Sequence, residues 1–577
     1  MNAILAQSTI RLRREILRQM TGGIGLGGVY AATLEWIMGQ DGDKGKLGMG
    51  VLMWVSRSER PLRAEELCQA MTIEESSTEL DSENVPAIET LLSCCLGLAT
   101  IDERRSRVRL IHVTLQEYLG GRPDLFGNTH SKMADVCLTY LNFQSIKDLP
   151  LDLLESPETM PFLGYASCYW GVHVGKESTE HTKSLALQLL DRFDHHVAAM
   201  MLQVNRGVWT SYGGGGPITG FTGLHAIAYF GVAEIATALI RSGGWEVNAR
   251  DSEGVTPLMW AVKNNNAGVC QVLLELGGAD PNAADNRSQT PLHIASASGR
   301  EDIVKLLLER KDVNPNSSDV GDRTPLHVAA QNGQEGIVKL FLERKEVNPG
   351  SSNKFGLTPL SGAASCGHEG IVKLLLELKE VNPGSSSGRG ETPLLVAAFN
   401  GHEGTVKLLL ERKEVNPDAR NYDGKTPLLG AAWRGREGIA KLLLERKEVN
   451  PGSSNSHGET PLLAAAWGGH EGVAKMLLER KEVNPDSVTK RGCSPLWGAA
   501  WRGHEGIIAG SPPISLSLIV GESKWEAKAS GTPRVFFFFK GYPKIRVYWA
   551  TAYHLNTSNN RINPPPHPSS WQESVSR

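Results

Sequence analysis

Apolar positions recur along this chain in a fixed unit. Thr-Pro stands at 256, 290, 324, 358, 392, 426 and 460, every interval being 34 residues. Ser494-Pro495 continues the series and Thr222-Gly223 is a degenerate copy ahead of it, so nine copies run from about 219 to 508. The copy NKFGLTPLSGAASCGHEGIVKLLLELKEVNPGSS, from Asn353, shows what each unit predicts. Thr358 is placed to cap a helix, and Pro359 takes the first helical position, where its missing N–H costs nothing. Ala363 and Ala364 are small enough for a close helix approach. Gly367 ends this helix, as a residue that tolerates φ > 0 would. Glu369 opens a second helix whose apolar residues are Ile371, Val372, Leu374, Leu375 and Leu376, and Val381-Asn382-Pro383 turns the chain into an extended loop. One such unit cannot bury its own apolar face, so neighbours must stack into a continuous core.

Ahead of the repeats the pattern changes. Apolar helical stretches at 49–55, 64–71 and 86–95 precede two short strand patterns, 98–102 and 108–113, about the basic turn Glu103-Arg104-Arg105-Ser106. Helix, helix, helix and β-hairpin is the order of a winged helix. Helices near 131–142, 162–174 and 184–202 then fill a spacer. The predicted fold class is mostly α: a winged helix at 49–120, a helical spacer at 121–218 and an α-solenoid of about nine 34-residue units at 219–508.

Composition narrows the function classes. The 577 residues carry a net charge of −3, which excludes a generally basic nucleic-acid binder and an acidic disordered chain. The eight cysteines include no CxxC pair and fit neither a disulfide framework nor a zinc site, so a reducing compartment is expected: the cytoplasm, with the nucleus left open. No run of about 18 apolar residues exists to span a membrane, and Arg11, Arg13 and Arg14 interrupt the N-terminal apolar stretch where a signal peptide would not.

The repeat residues resemble the ankyrin repeat, whose pattern is T-P-L-H-x-A-A, then G-H and a Leu-rich second helix. The tetratricopeptide alternative shares the period but lacks its W-x-x-L-G-x-x-Y pattern here. Each unit is one residue longer than the usual 33, and the family His is kept as His225, His293 and His327 but replaced by Ser361, Leu395, Leu429, Leu463 and Trp497. The resemblance implies a non-catalytic array that binds a protein partner on its concave face, where the two residues after Ala-Ala lie. These include Phe399, Trp433-Arg434, Trp467 and Trp501-Arg502, an aromatic in four successive repeats. At about 10 Å per repeat they would form a ladder roughly 30 Å long. Nearby loop tips add Phe355, Arg389, Tyr422 and Lys425. Trp and Arg are enriched at binding hot spots. Equally, one Trp carried along by duplication could serve packing between first helices. The recurring Glu411-Arg412-Lys413-Glu414 type of segment balances its own charge and reads as a solvated face.

MWVSRSERPLRAEELCQAM, LLSCCLGLATIDERRSRVRLIHVTLQEYL and CLTYLNF resemble the segment that follows the NACHT NTPase in fungal NACHT–ankyrin proteins. That segment is similar to the winged helix of GPI inositol-deacylase relatives. GVYAATLEWIMGQ, at 28–40, resembles the last helix of the NACHT module, which makes 1–48 a NACHT remnant. The resemblance implies a STAND-type, NOD-like receptor of fungal self/non-self recognition without its NTPase core. A P-loop needs GxxxxGK[ST], and Gly45-Lys46 is followed by Leu47 with Gln40 where the first Gly belongs. DNA binding is not expected, because residues 50–119 hold seven Arg, no Lys and twelve Asp or Glu. The GxGxxG at 23–28 does not follow a strand, the GxSxG at 384–388 lies in a loop, and no HExxH forms, so no cofactor or metal is implied. His195-His196 reads as solvent-facing. Residues 509–577 lose the repeat register and are expected to be an aberrant or disordered tail, an unspliced or frame-shifted reading.

Overall fold

The computed structural model describes residues 26–74, 77–102, 104–151, 155–206 and 218–510, with a two-residue strand pair at 534–535 and 550–551. The expected NACHT remnant therefore lies partly, and the tail almost wholly, outside the described residues. The chain divides into two compact units at Val313/Asn314.

The first described helix of the first unit is Leu26–Met38, and then the helices Lys44–Arg57, Ala64–Ala70 and Ile88–Cys94 precede an antiparallel hairpin of Ala99–Asp102 and Arg107–Leu110. Val51, Leu52, Trp54, Leu67, Leu91 and Val108 are buried at their junction. Gly48 permits it, since a Cβ there would lie 2.6 Å from the Cys94 carbonyl oxygen. The second strand is shorter than its apolar pattern suggested. It stops at Leu110 because His112 caps a helix, Val113–Gly120, its Nδ1 accepting from the Thr114 N–H at 3.2 Å.

The spacer helices Thr129–Leu141, Leu163–Lys176, Glu180–Leu190 and Val197–Arg206 follow. The single helix expected over 184–202 is thus two. A 3-10 turn, Phe193–His195, separates them, and His196 starts the second by accepting from the Ala198 N–H at 3.0 Å. The His pair splits accordingly. His195 is exposed as expected, but His196 is 5% exposed, with Nε2 donating to the Leu141 carbonyl. The spacer also seats the first repeats. Trp170 packs edge-on against Phe230 at 5.0 Å, and Phe193 lies 6.4 Å from Phe221.

In the second unit each repeat is a pair of short helices, such as Pro359–Cys366 with Glu369–Leu376. The Thr-Pro caps form as the sequence required: Thr358, Thr392 and Thr426 each accept a backbone N–H at 3.2 Å from three residues on. Gly367 closes its helix at φ 76°. Neighbours are joined by a recurring hydrogen bond. The residue before a second helix reaches back to a carbonyl at the end of the first helix of the preceding repeat: His368 to Gln331, His402 to Ser365, His470 to Trp433 and His504 to Trp467, at 2.9–3.2 Å. Arg436 does the same to Asn400.

Gly171 tests the docking of spacer on array, because its Cβ would lie 2.3 Å from the Phe230 ring. Gly171→Ala is expected to destabilise the first unit by about 1–3 kcal/mol through overpacking. Urea unfolding of the wild type and the variant measures this, and an unchanged midpoint would refute it.

Candidate functional site

The loop tips of the second unit are built alike. Asn353 Oδ1 accepts from the N–H groups of Phe355 and Leu357, both at 2.9 Å. Asn421 holds Asp423 and Lys425 the same way, and Ser387 Oγ holds Arg389 and Glu391. Adjacent tips are then zipped together: the Gly388 N–H donates to the Phe355 carbonyl and the Tyr422 N–H to that of Arg389. This fixes the fifth tip residue toward the first helices. Arg323, Leu357, Glu391 and Lys425 occupy that place, and all four line a cleft of about 290 Å³. Arg389 and Phe399 line it too, with Asn400 and Ser365 on the helix side.

Three of the residues singled out from the sequence, Arg389, Phe399 and Lys425, therefore share one cleft. Phe355 and Tyr422 stand on its bordering tips, 59% and 78% exposed. The aromatics after Ala-Ala do not form a uniform ladder. Phe399 lies against Gly430 of the next repeat, about 3.4 Å from where a Cβ would be, and Arg434 sits over its ring at 4.6 Å. Trp467 repeats this with Gly498 and with Arg502 at 5.1 Å. Trp433, between them, faces a repeat with Ala464 and Gly468 in those two places. The arrangement alternates, with a period of two repeats. Trp497, noticed in the sequence only as a replacement for His, stacks 5.9 Å from Trp467 and 5.5 Å from Trp501. Gly and Arg at fixed offsets of 31 and 35 after an aromatic were the signal for these slots.

The charges in the cleft differ in how they are held. Burial acts to raise the Asp319 carboxyl, but the Arg323 guanidinium at 2.7 Å and backbone N–H groups override it and hold it below the usual range. That engages Arg323. Lys425 meets the exposed Asp423 at 3.4 Å. No acidic side chain among the described residues holds the exposed Arg389. Glu391 supplies the carboxylate of the lining. Burial pushes His327 down to about 4, so it lines the cleft as a neutral ring, with Nε2 donating to the Leu357 carbonyl.

A second group of polar residues lies in the first unit. Ligating atoms of Glu59, His130 and His173 fall within 4.8 Å of one another. They are already engaged. The Glu59 N–H donates to Tyr165 Oη at 3.1 Å, Tyr165 Oη meets His173 Nε2 at 3.0 Å, and the two Nδ1 atoms are 2.9 Å apart. If the Tyr165 hydroxyl donates to Nε2, His173 carries its proton on Nδ1 and gives it to His130, and every group is satisfied. Lys176 takes the Glu59 carboxylate. Burial pushes His173 down to about 3, keeping it neutral. The arrangement joins winged helix to spacer. Within the winged helix, Glu66 is fully buried and held by Arg60 at 2.7 and 2.8 Å. Arg60 also lies 5.3 Å over the Tyr165 ring.

Among known families, Ankyrin repeats (3 copies) match over six overlapping segments, 196–285, 224–319, 276–350, 292–386, 336–421 and 378–455. Residues 457–490 match Ankyrin repeat, and residues 37–127 match GPI inositol-deacylase, winged helix domain. No curated protein matches the chain significantly. Among the described residues no helix is long and apolar enough to cross a membrane.

The buried histidines give a pH prediction. His173, His196, His225 and His327 are held at about 3 to 4, all chiefly by burial, against about 6.5 when unfolded. The unfolded chain therefore binds protons first. Their contribution is complete above about pH 6.5 and is lost as pH falls from there toward 4. Melting temperature should drop across that window, and less steeply in His327→Leu, which installs the residue found at 395, 429 and 463. Parallel pH profiles of variant and wild type would contradict this.

Proposed function

The chain is an ankyrin-repeat protein with a GPI inositol-deacylase-type winged helix, and we propose that it is a non-catalytic scaffold that holds a protein partner between the loop tips and first helices of its array. The observation that carries this is the cleft where Arg389, Lys425 and Phe399 converge. An aromatic floor with cations at its edge is a hot-spot composition. Hydrogen bonding within the tips holds the backbone of these positions before any partner arrives, which lowers the ordering cost of binding. The remaining aromatics, Trp433, Trp467 and Trp501 with Arg434 and Arg502, are proposed to extend the contact along the same side, Trp501 being 39% exposed. Trp467, packed against Gly498 and capped by Arg502, serves the array as well.

A second reading makes the chain a piece of a NACHT-type, ATP-switched receptor, for which the array would be the sensor. It is supported by the order of winged helix, helical spacer and ankyrin array. The residues present include no GxxxxGK[ST], so a fluorescent ATP analogue is expected to show no saturable binding to this chain under either reading.

A photo-crosslinking amino acid at Ser365, in the cleft, or at Lys413, on the charged strip, tests the scaffold. In cells that make the protein, a discrete adduct is expected from 365 and not from 413, and it should vanish in Arg389→Glu/Lys425→Glu. Equal labelling from both positions would sink the reading.

A further inference from the structure

We propose that the cleft binds an extended acidic peptide segment, with carboxylates on either side of one apolar anchor; this rests on the scaffold reading above. The argument begins with charge. Arg389 and Lys425 line the cleft at successive tips, and Arg434 stands over the Phe399 ring. Against these three cations stand two carboxylates, Glu391 in the lining and Asp423 at 3.4 Å from Lys425, while Arg323 is matched by Asp319, so one positive charge is left over. The surroundings of Phe399 are therefore net positive in a chain whose overall charge is −3. Such a local reversal of sign attracts an acidic partner and fixes its register.

Shape supplies the rest. Of the four zipped tips that line the cleft, those starting at Asn353, Ser387 and Asn421 carry the exposed rings and the cations Arg389 and Lys425. Two steps of about 10 Å make a span of about 20 Å, or roughly six residues of extended chain at about 3.3 Å each. Arg389 and Lys425 stand one step apart, so acidic residues about three apart in the peptide would meet both. Between them an apolar side chain meets Phe399, with Leu357, Leu395 and Val396 also in the lining. Phe355 and Tyr422 flank the path as exposed rings, each on a bordering tip. The lining thus combines apolar and cationic side chains from successive tips, which suits a strand-like segment better than a helix presenting one apolar stripe.

The test is a display library of random dodecapeptides, selected on the full chain. Enriched sequences are expected to carry Asp or Glu on both sides of a Leu, Ile or Phe. Their binding should weaken as salt rises, and Arg389→Glu/Lys425→Glu should lower affinity about tenfold or more at low salt. These side chains are exposed or half-buried, so melting temperature should stay near wild type; Arg389→Ala, with a smaller loss, serves if the double variant does not fold. Enriched peptides that are basic or uncharged yet need Phe399 would overturn the acidic inference and leave the scaffold intact. So would a library yielding nothing while the crosslink at 365 persists, since the partner would then be a folded surface. Loss of both the peptides and the crosslink removes the scaffold reading as well.

Discussion

The array depends on one hydrogen bond made many times. A single pair of short helices cannot bury its own apolar face, so each repeat exists only against its neighbours. The apolar contacts between them would tolerate sliding. A polar side chain ahead of the second helix does not: His368, His402, His470 and His504 each reach a carbonyl 37 residues back. That carbonyl lies at the end of a first helix, where its helical partner is missing. The bond therefore satisfies a group the helix leaves open and sets the register at once. Arg436 makes the same kind of contact over 36 residues and Asn266 over 37 and 38, so the geometry, rather than the imidazole, is what the position requires.

From that register the site follows. Because helices advance by a fixed step, the tips do too, and an Asn, Asp, Ser or Thr at the start of each tip folds it alike. The fifth tip residue then faces the first helices. Chemistry at the cleft is chosen by what stands there, Arg323, Leu357, Glu391 or Lys425, without any change in the backbone beneath.

Much of this was legible in the sequence, and the reasons are local. Thr-Pro announces a capped helix, Gly367 a left-handed residue, and both are decided within four residues of chain. The winged helix was legible as an order of elements, though the second strand was read too long because Ile111 and Val113 continue its apolar pattern while His112 ends it. The break at 193–195 was missed for a similar reason: its apolar spacing is helical, and only the reach of His196 to Leu141, 55 residues away, interrupts it. At the cleft, Arg389, Phe399 and Lys425 could be named as candidates, but their convergence could not, since it depends on tips and helices of different repeats. The slots for Phe399 and Trp467 depend on residues 31 and 35 places later, a distance at which single-copy reading sees nothing.

The alternation of those slots bears on how such an array can change its length. Removing a single copy of 34 residues keeps the reading frame and the backbone stacking. It would nevertheless put Phe399 in the place Trp433 holds, against Ala464 and Gly468, without the guanidinium that covers its ring. Removing two copies sets Phe399 against Gly498 and Arg502, and nothing is mismatched. The backbone counts in ones and the side chains count in twos, so gain and loss by recombination should leave a preference for even steps in this part of the molecule.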